Sequence, residues 1–352
     1  MTAQRADDAP VETDAVVIGA GPVGLFQVFE LGLLEMRVHV VDSLPGPGGQ
    51  CTELYADKPI YDIPGTPACT AQELIDRLLL QIEPFDARFH FGQQVDVLRR
   101  EDDGRFRVET SRGLRLIAKT VVIASGVGSF QPRHLKIEGL AAFHDTQVFY
   151  NVADAASLAA RRVLVIGDGD AALECAMSFA AAGPLHATEV TLMHRRDEFK
   201  AAPATVARFR AMRATQQLHF IAGQAIGFDQ LAGRLTSLTV STPDGPDRTL
   251  PLDALVVMTG LSPKLGPVAD WGLVLERKQL VVDTEKFETS TPGIFAVGDV
   301  NTYPGKKKLI LCGFHEAALA AYGAAAHVFP GRAQPLEYTT TSPRLQHALG
   351  RA

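Results

Sequence analysis

Two short glycine-rich stretches carry the residues best suited to hold phosphate. Gly19, Gly21 and Gly24 follow the apolar run AVVIG, and Gly167, Gly169 and Ala172 follow VLVIG. In such a turn the first glycine permits a tight bend and the second lets backbone N–H groups approach a pyrophosphate. The third small residue lets a helix pack closely on the strand. That helix points the positive end of its dipole at the same spot. The next strand decides what meets the adenosine ribose. After the first turn, RVHVVD ends in Asp42, twenty-three positions beyond Gly19, where a carboxylate accepts hydrogen bonds from a ribose. After the second, EVTLMHRR ends in Arg195 and Arg196, whose guanidinium groups suit a 2′-phosphate through charge-assisted bonds. The second site is therefore expected to take NADP(H) rather than NAD(H). Asp168, inside that turn, is expected to point to solvent.

Two dinucleotide sites with different ribose preferences imply one resident cofactor and one diffusing one. FAD with NADP(H) is the economical pair. Hydride transfer between them needs placement rather than a protein nucleophile or a metal. The sequence offers neither a metal-ligand cluster nor a catalytic triad. Its four cysteines, Cys51, Cys69, Cys175 and Cys312, stand at no CxxC spacing and read as free thiols in a reducing compartment.

These residues need strands and helices to position them, and the chain can supply both. Its 352 residues, 46% hydrophobic and 21% charged, suffice for two cores. The net charge of -6 argues against a general nucleic-acid binder. No apolar run has the length of a membrane span, and the first residues lack the pattern of a signal peptide, so a cytoplasmic location is expected. Two further strand-like runs end in glycine: KTVVIASG at Lys119 to Gly126, and TSTPGIFAVGDV, which carries Gly298 and Asp299. Neither belongs naturally inside the second nucleotide unit. The expected fold is α/β, with two Rossmann-like three-layer dinucleotide-binding domains. The NADP(H) domain, residues 131–263, is inserted into a discontinuous FAD domain made of residues 1–130 and 264–352.

Taken in order, GxGPxG at Gly19, GGQ at Gly48 to Gln50, the ASG strand end, GxGxxA with HRRDEF at His194 to Phe199, and TPGIFAVGDV resemble the thioredoxin-reductase-like pyridine nucleotide flavoproteins. The resemblance covers nearly the whole chain. Disulfide-reducing members carry a redox CxxC just before the second glycine turn, or a cysteine pair after the GG motif. Here the first stretch holds no cysteine and Cys51 has no near partner in sequence, which excludes exchange through a protein dithiol. What remains resembles the ferredoxin-NADP reductases of the thioredoxin-reductase-like type. LYADKPIYDIPG, VFYNVAD, WGL at Trp271, GFHEA at Gly313 and the tail QPLEYTTTSP carry that narrower likeness.

The resemblance implies a homodimer whose C-terminal extension covers the flavin, with Tyr55 and Tyr338 stacked on opposite faces of the isoalloxazine. It implies Asp42 on the flavin ribose, Gln50 and Phe130 beside the cofactor, Val95 at the adenine and Asp299 on the ribityl or phosphate part. A tail threonine, taken as Thr340 from Thr339 to Thr341, completes the set. The implied activity is electron transfer between NADP(H), two electrons at a time, and ferredoxin, one at a time. Ferredoxins are generally acidic, so Lys306, Lys307 and Lys308 are the expected docking residues. The helix beginning near Gly313 is expected to aim its N-terminus at the flavin. His194 and His315 read as hydrogen-bonding rather than acid-base residues. Competing readings are reduction of a quinone, a small disulfide or another redox protein, and a nonenzymatic flavin-containing redox sensor.

Overall fold

The strand Val11–Ile18 emerges into the core within two residues: its last six side chains are all buried, as a strand covered on both faces requires. The computed structural model describes residues 9–150, 155–243 and 245–351, without the side chains of 129–132, 155 and 261–264. Part of the VFYNVAD stretch, residues 151–154, thus lies outside the described residues. The described α-helices are α1 (Pro22–Leu33), α2 (Gln50–Tyr55), α3 (Ala71–Ile82), α4 (Asp170–Ala180), α5 (Pro203–Ala214), α6 (Ile310–Val328) and α7 (Pro343–Ala348). None is long and apolar enough to cross a membrane.

The chain divides into two compact units, Met1–Ser129 with Pro263–Ala352, and Phe130–Ser262. In the first, a seven-stranded sheet runs Arg88–His90, Val38–Val41, Val11–Ile18, Arg115–Ile123, Phe106–Thr110, Val95–Arg100, with Ile294–Ala296 also on Arg115–Ile123. The long strand Arg115–Ile123 changes partners along its length. Its first part pairs antiparallel with Phe106–Thr110, and its last residues pair in parallel with Ile294–Ala296, Val121 facing Ile294. That pairing sews the late TPGIFAVGDV segment into a sheet begun more than a hundred residues earlier. Leu25, Val28 and Leu31 of α1 are completely buried, each contributing about 1.5–3 kcal/mol of burial. α6 supplies Ala317, Ala320, Ala321, Ala324 and Ala325, all at 0% exposure. Such small side chains let it lie close to its neighbours.

The second unit is a five-stranded parallel sheet ordered Val148–Phe149, Ala254–Met258, Arg162–Gly167, Glu189–His194, His219–Ala222. An antiparallel three-stranded sheet, Gln224–Leu231, Arg234–Ser241 and Arg248–Pro251, accompanies it. Parallel strands with helical crossovers make both units α/β, as the strand, glycine turn and helix order predicts.

Candidate dinucleotide sites

In the first unit the glycine turn is closed by its neighbours. A Cβ on Gly24 would lie 1.9 Å from the Gly19 carbonyl oxygen, so only glycine lets α1 start this close to the strand. Gly21 caps α1 without any side-chain hydrogen bond, and a Cβ there would meet nothing within 4 Å. Pro22 opens α1 with no N–H of its own, and no cap side chain occupies the N–H groups that follow it. Asp42 is buried and does more than await a ribose: Oδ2 accepts the Ala20 N–H at 2.6 Å and Oδ1 accepts the Leu44 N–H at 2.8 Å. Burial raises its pKa, and these two bonds pull the other way.

The GGQ stretch lies directly on this turn. Gly48 N–H donates to the Ala20 carbonyl at 2.8 Å, and a Cβ on Gly49 would sit 3.1 Å from the Gly21 Cα. Gln50 then opens α2, and its side chain reaches the neighbourhood of Gly126, where a Cβ would be 3.1 Å from Nε2. Beside it Ser125 Oγ is buried with no hydrogen-bond partner among the described residues. Tyr55 ends α2 with its hydroxyl 3.7 Å from Cys51 Sγ; burial, then the thiol, raises the Tyr55 pKa. Gly298 packs on Val23 of α1, and the Val297 N–H donates to the Ile123 carbonyl at 2.9 Å. Gly19, Gly21, Gly24, Asp42, Gln50 and Asp299 are thereby brought together.

In the second unit, a Cβ on Gly167 would meet the Ala172 Cβ and the Met258 carbonyl oxygen at 2.5 Å each. Gly169 caps α4 without a side-chain bond and faces open space. Arg195 and Arg196 follow the adjacent strand and are exposed. The two units thus carry the same uncapped turn with opposite charges on the following strand. A model of the family described as pyridine nucleotide-disulphide oxidoreductase matches residues 13–323, spanning both turns. The chain belongs to that family.

Its relatives narrow the comparison. The chain is 60% identical over 343 residues to a protein from a Polaromonas species named ferredoxin-NADP reductase, covering 97% of this chain and 94% of that one. It is 59% identical over 343 residues to the like-named protein of Methylibium petroleiphilum, with the same coverage of each. Among solved structures, Lactococcus lactis thioredoxin reductase matches with a TM-score of 0.59 and 26% identity, over 90% of this chain and 99% of that one. The four cysteines of this chain are free: Cys51 and Cys69 are buried, Cys175 and Cys312 partly so.

Other expected residues fall elsewhere. Val95 has its side chain in the core at 3% exposure, two residues past Gln93, whose N–H donates to the Asp42 carbonyl at 3.1 Å. The side chain of Phe130 lies outside the described residues. Tyr338 is 66% exposed, and Thr340 lies in the turn before α7, its carbonyl accepting from Gln346 Nε2 at 3.0 Å. The tail is anchored by Arg344, which donates to the Leu33 carbonyl at 3.2 Å. Leu33 ends α1, so this anchor sits about 18 Å, one length of a twelve-residue helix, from the glycine turn.

Three expectations need correction. Asp168 does not point freely into solvent: its carboxylate lies 3.2 Å from Lys200 Nζ and 3.7 Å from His194 Nε2, and its side chain is 21% exposed. Lys306 is not a surface lysine. Its side chain is 7% exposed and its Nζ lies 2.5 Å from the buried carboxylate of Glu316, whereas Lys307 and Lys308 are exposed. α6 starts at Ile310, a turn before Gly313, directly after Leu309, which is still extended and serves as its N-cap. His315 stacks edge-on against Phe287 at 6.3 Å. His194 has its pKa lowered by burial, which outweighs the opposing pull of Asp168.

Lys200, Glu316, Tyr303 and Asn301 are absent from the residues read as functional in the sequence. Lys200 stands four residues after Arg196, and that spacing was its one local signal.

Proposed function

We propose that the first unit holds FAD, the second holds NADP(H), and the chain passes electrons between NADPH and ferredoxin. One observation carries this reading: two uncapped glycine turns of the same build, followed by Asp42 in one unit and by exposed Arg195 and Arg196 in the other. The residues present fit both cofactors. Gly21 and Gly169 leave room where a pyrophosphate would lie, Ser125 Oγ is a buried hydroxyl in want of a partner, and the arginines are free of the core. Bound FAD supplies the chemistry that takes electrons in pairs and gives them up singly, which a nicotinamide alone does not do.

The chain's own residues bind and orient. The open N–H groups of α1 and α4 meet the two pyrophosphates, Asp42 meets the FAD ribose, and Arg195 and Arg196 meet the 2′-phosphate. Gln50, Tyr55 and Phe130 border FAD, with Val95 at the adenine and Asp299 on the ribityl or phosphate part. Tyr338 and Thr340 come from the tail of a homodimer, and Lys307 with Lys308 offers an acidic ferredoxin a positive point of approach. The lack of any CxxC spacing favours this reading over disulfide reduction, and the names of relatives at 57–60% identity point to ferredoxin as the acceptor. The setting is cytoplasmic.

The test is an anaerobic cytochrome c assay with NADPH, run with and without a low-potential ferredoxin. Strong acceleration by ferredoxin is expected. Unchanged rates in a protein whose flavin NADPH still reduces would move the acceptor to a quinone or another redox protein.

A further inference from the structure

Gly298 turns the end of the Ile294–Ala296 strand toward Asp299 with φ at +78°, a conformation glycine adopts without strain. The segment that follows joins a two-residue parallel ladder, Asn301–Thr302 on Gln279–Val281, and side chains hold it as well. Gln279 Nε2 donates to the Asp299 carbonyl at 3.2 Å and to the Asn301 carbonyl at 2.7 Å. Gly298 itself is gripped at both of its polar atoms by the two members of one ion pair. Its N–H donates to Glu316 Oε2 at 2.7 Å, and its carbonyl accepts from Lys306 Nζ at 2.8 Å. Lys306 Nζ also meets Glu316 Oε1 at 2.5 Å.

Glu316 is completely buried, yet its carboxylate is well supplied with donors. Asn301 Nδ2 donates at 2.8 Å and Tyr303 Oη at 2.9 Å, beside Gly298 and Lys306. A pair this buried is a poor investment if stability alone were at stake, because apolar residues of similar volume commonly serve as well or better. What it does supply is direction. The Asp299 carboxylate makes no hydrogen bond among the described residues and sits close enough to feel the charges of Lys306, Lys308 and Glu316.

Taking Asp299 as an FAD contact, as proposed above, we propose that Lys306 and Glu316 are positioning residues: their ion pair fixes the Gly298 peptide groups so that Asp299 presents its carboxylate to the bound cofactor. Neither residue touches FAD in this role. Lys306 thus works from inside the fold, not as a docking lysine.

The test compares FAD dissociation from full-length holoprotein, read by flavin fluorescence, with thermal stability of the apoprotein. Lys306→Met should weaken FAD binding about 10- to 100-fold, the span expected when a hydrogen bond from a charged group is lost. The double variant Lys306→Met/Glu316→Gln removes the buried charge but leaves the Gly298 carbonyl with only the backbone N–H of Asn301. It should regain stability while its FAD binding stays weak. Glu288→Gln is the control, a similar lesion in another buried carboxylate of the same unit, bonded to His327 and the Gly293 N–H. It should lower stability with FAD binding within about twofold of wild type. Wild-type FAD affinity in Lys306→Met or in the double variant, or an equal loss in Glu288→Gln, overturns the proposal. A wild-type protein that takes up no FAD at all sinks the cofactor reading itself, and the positioning role with it.

Discussion

Lys200 holds Asp168 twice: its backbone N–H donates to the Asp168 carbonyl at 2.7 Å, and its Nζ lies 3.2 Å from the carboxylate. The first bond ties the loop carrying Arg195 and Arg196 to the glycine turn. The second balances a negative charge beside the place where a pyrophosphate would sit. Lys200 is largely exposed, so the pair adds little to stability. Lys200→Met should therefore raise the KM for NADPH and for NADH alike by about 5- to 10-fold, the scale of one unbalanced charge near a partly solvated site. Asp168→Asn in the same chain should restore most of that loss. Steady-state kinetics with both nucleotides checks this, and an effect confined to NADPH would place Lys200 on the 2′-phosphate instead.

Arg195 and Arg196 stand exposed beyond their strand, with no structural duty in the core. Replacing both with alanine should cost NADPH about 10- to 100-fold in kcat/KM and leave NADH nearly unchanged, because only NADPH offers them a phosphate. The ratio of the two kcat/KM values is the measurement.

The two glycine turns were legible in the sequence because their spacing is local: the close approach of Gly24 to Gly19 or of Gly167 to Ala172 is settled within a few residues, although Ala124 and Met258 from distant strands crowd the same glycines. Asp42 and the arginines were legible through the strand that carries them. Asp168 and Lys306 were misread for a shared reason. Their partners, Lys200 and Glu316, lie beyond the turn each belongs to, and a charged residue in a polar stretch shows no sign that a distant side chain draws it inward. Glu316 itself hid in an alanine-rich helix whose periodicity marks a buried face without marking the one carboxylate on it.

Neutralising Lys307 and Lys308 with glutamine, with Lys306 left intact, should slow ferredoxin-dependent turnover and flatten its salt dependence. Reduction of a small dye by NADPH should not change. Equal loss of both activities would remove these residues from the docking surface.

Glu30 on α1 is pushed up to about 7 by burial, facing Tyr322. A carboxyl whose pKa is raised by folding binds its proton more tightly in the folded state, so stability is greatest below the unfolded value near 4.5. It falls as pH rises through the window from there to about 7. Glu30→Gln should remove this slope and stabilise the protein at pH 8 by roughly 2 kcal/mol, allowing for partial exposure. Thermal melts across that range decide it, and parallel curves for both proteins would show that Glu30 does not titrate there.

The most direct measurement is electron stoichiometry. The FAD-loaded protein is mixed anaerobically with a limiting amount of NADPH and excess oxidised ferredoxin, and both species are followed optically. Two ferredoxins reduced for each NADPH consumed is the expected result, since each nucleotide delivers a pair of electrons and each iron-sulfur carrier accepts one. NADPH consumed with no ferredoxin reduced would contradict electron transfer to a one-electron protein partner.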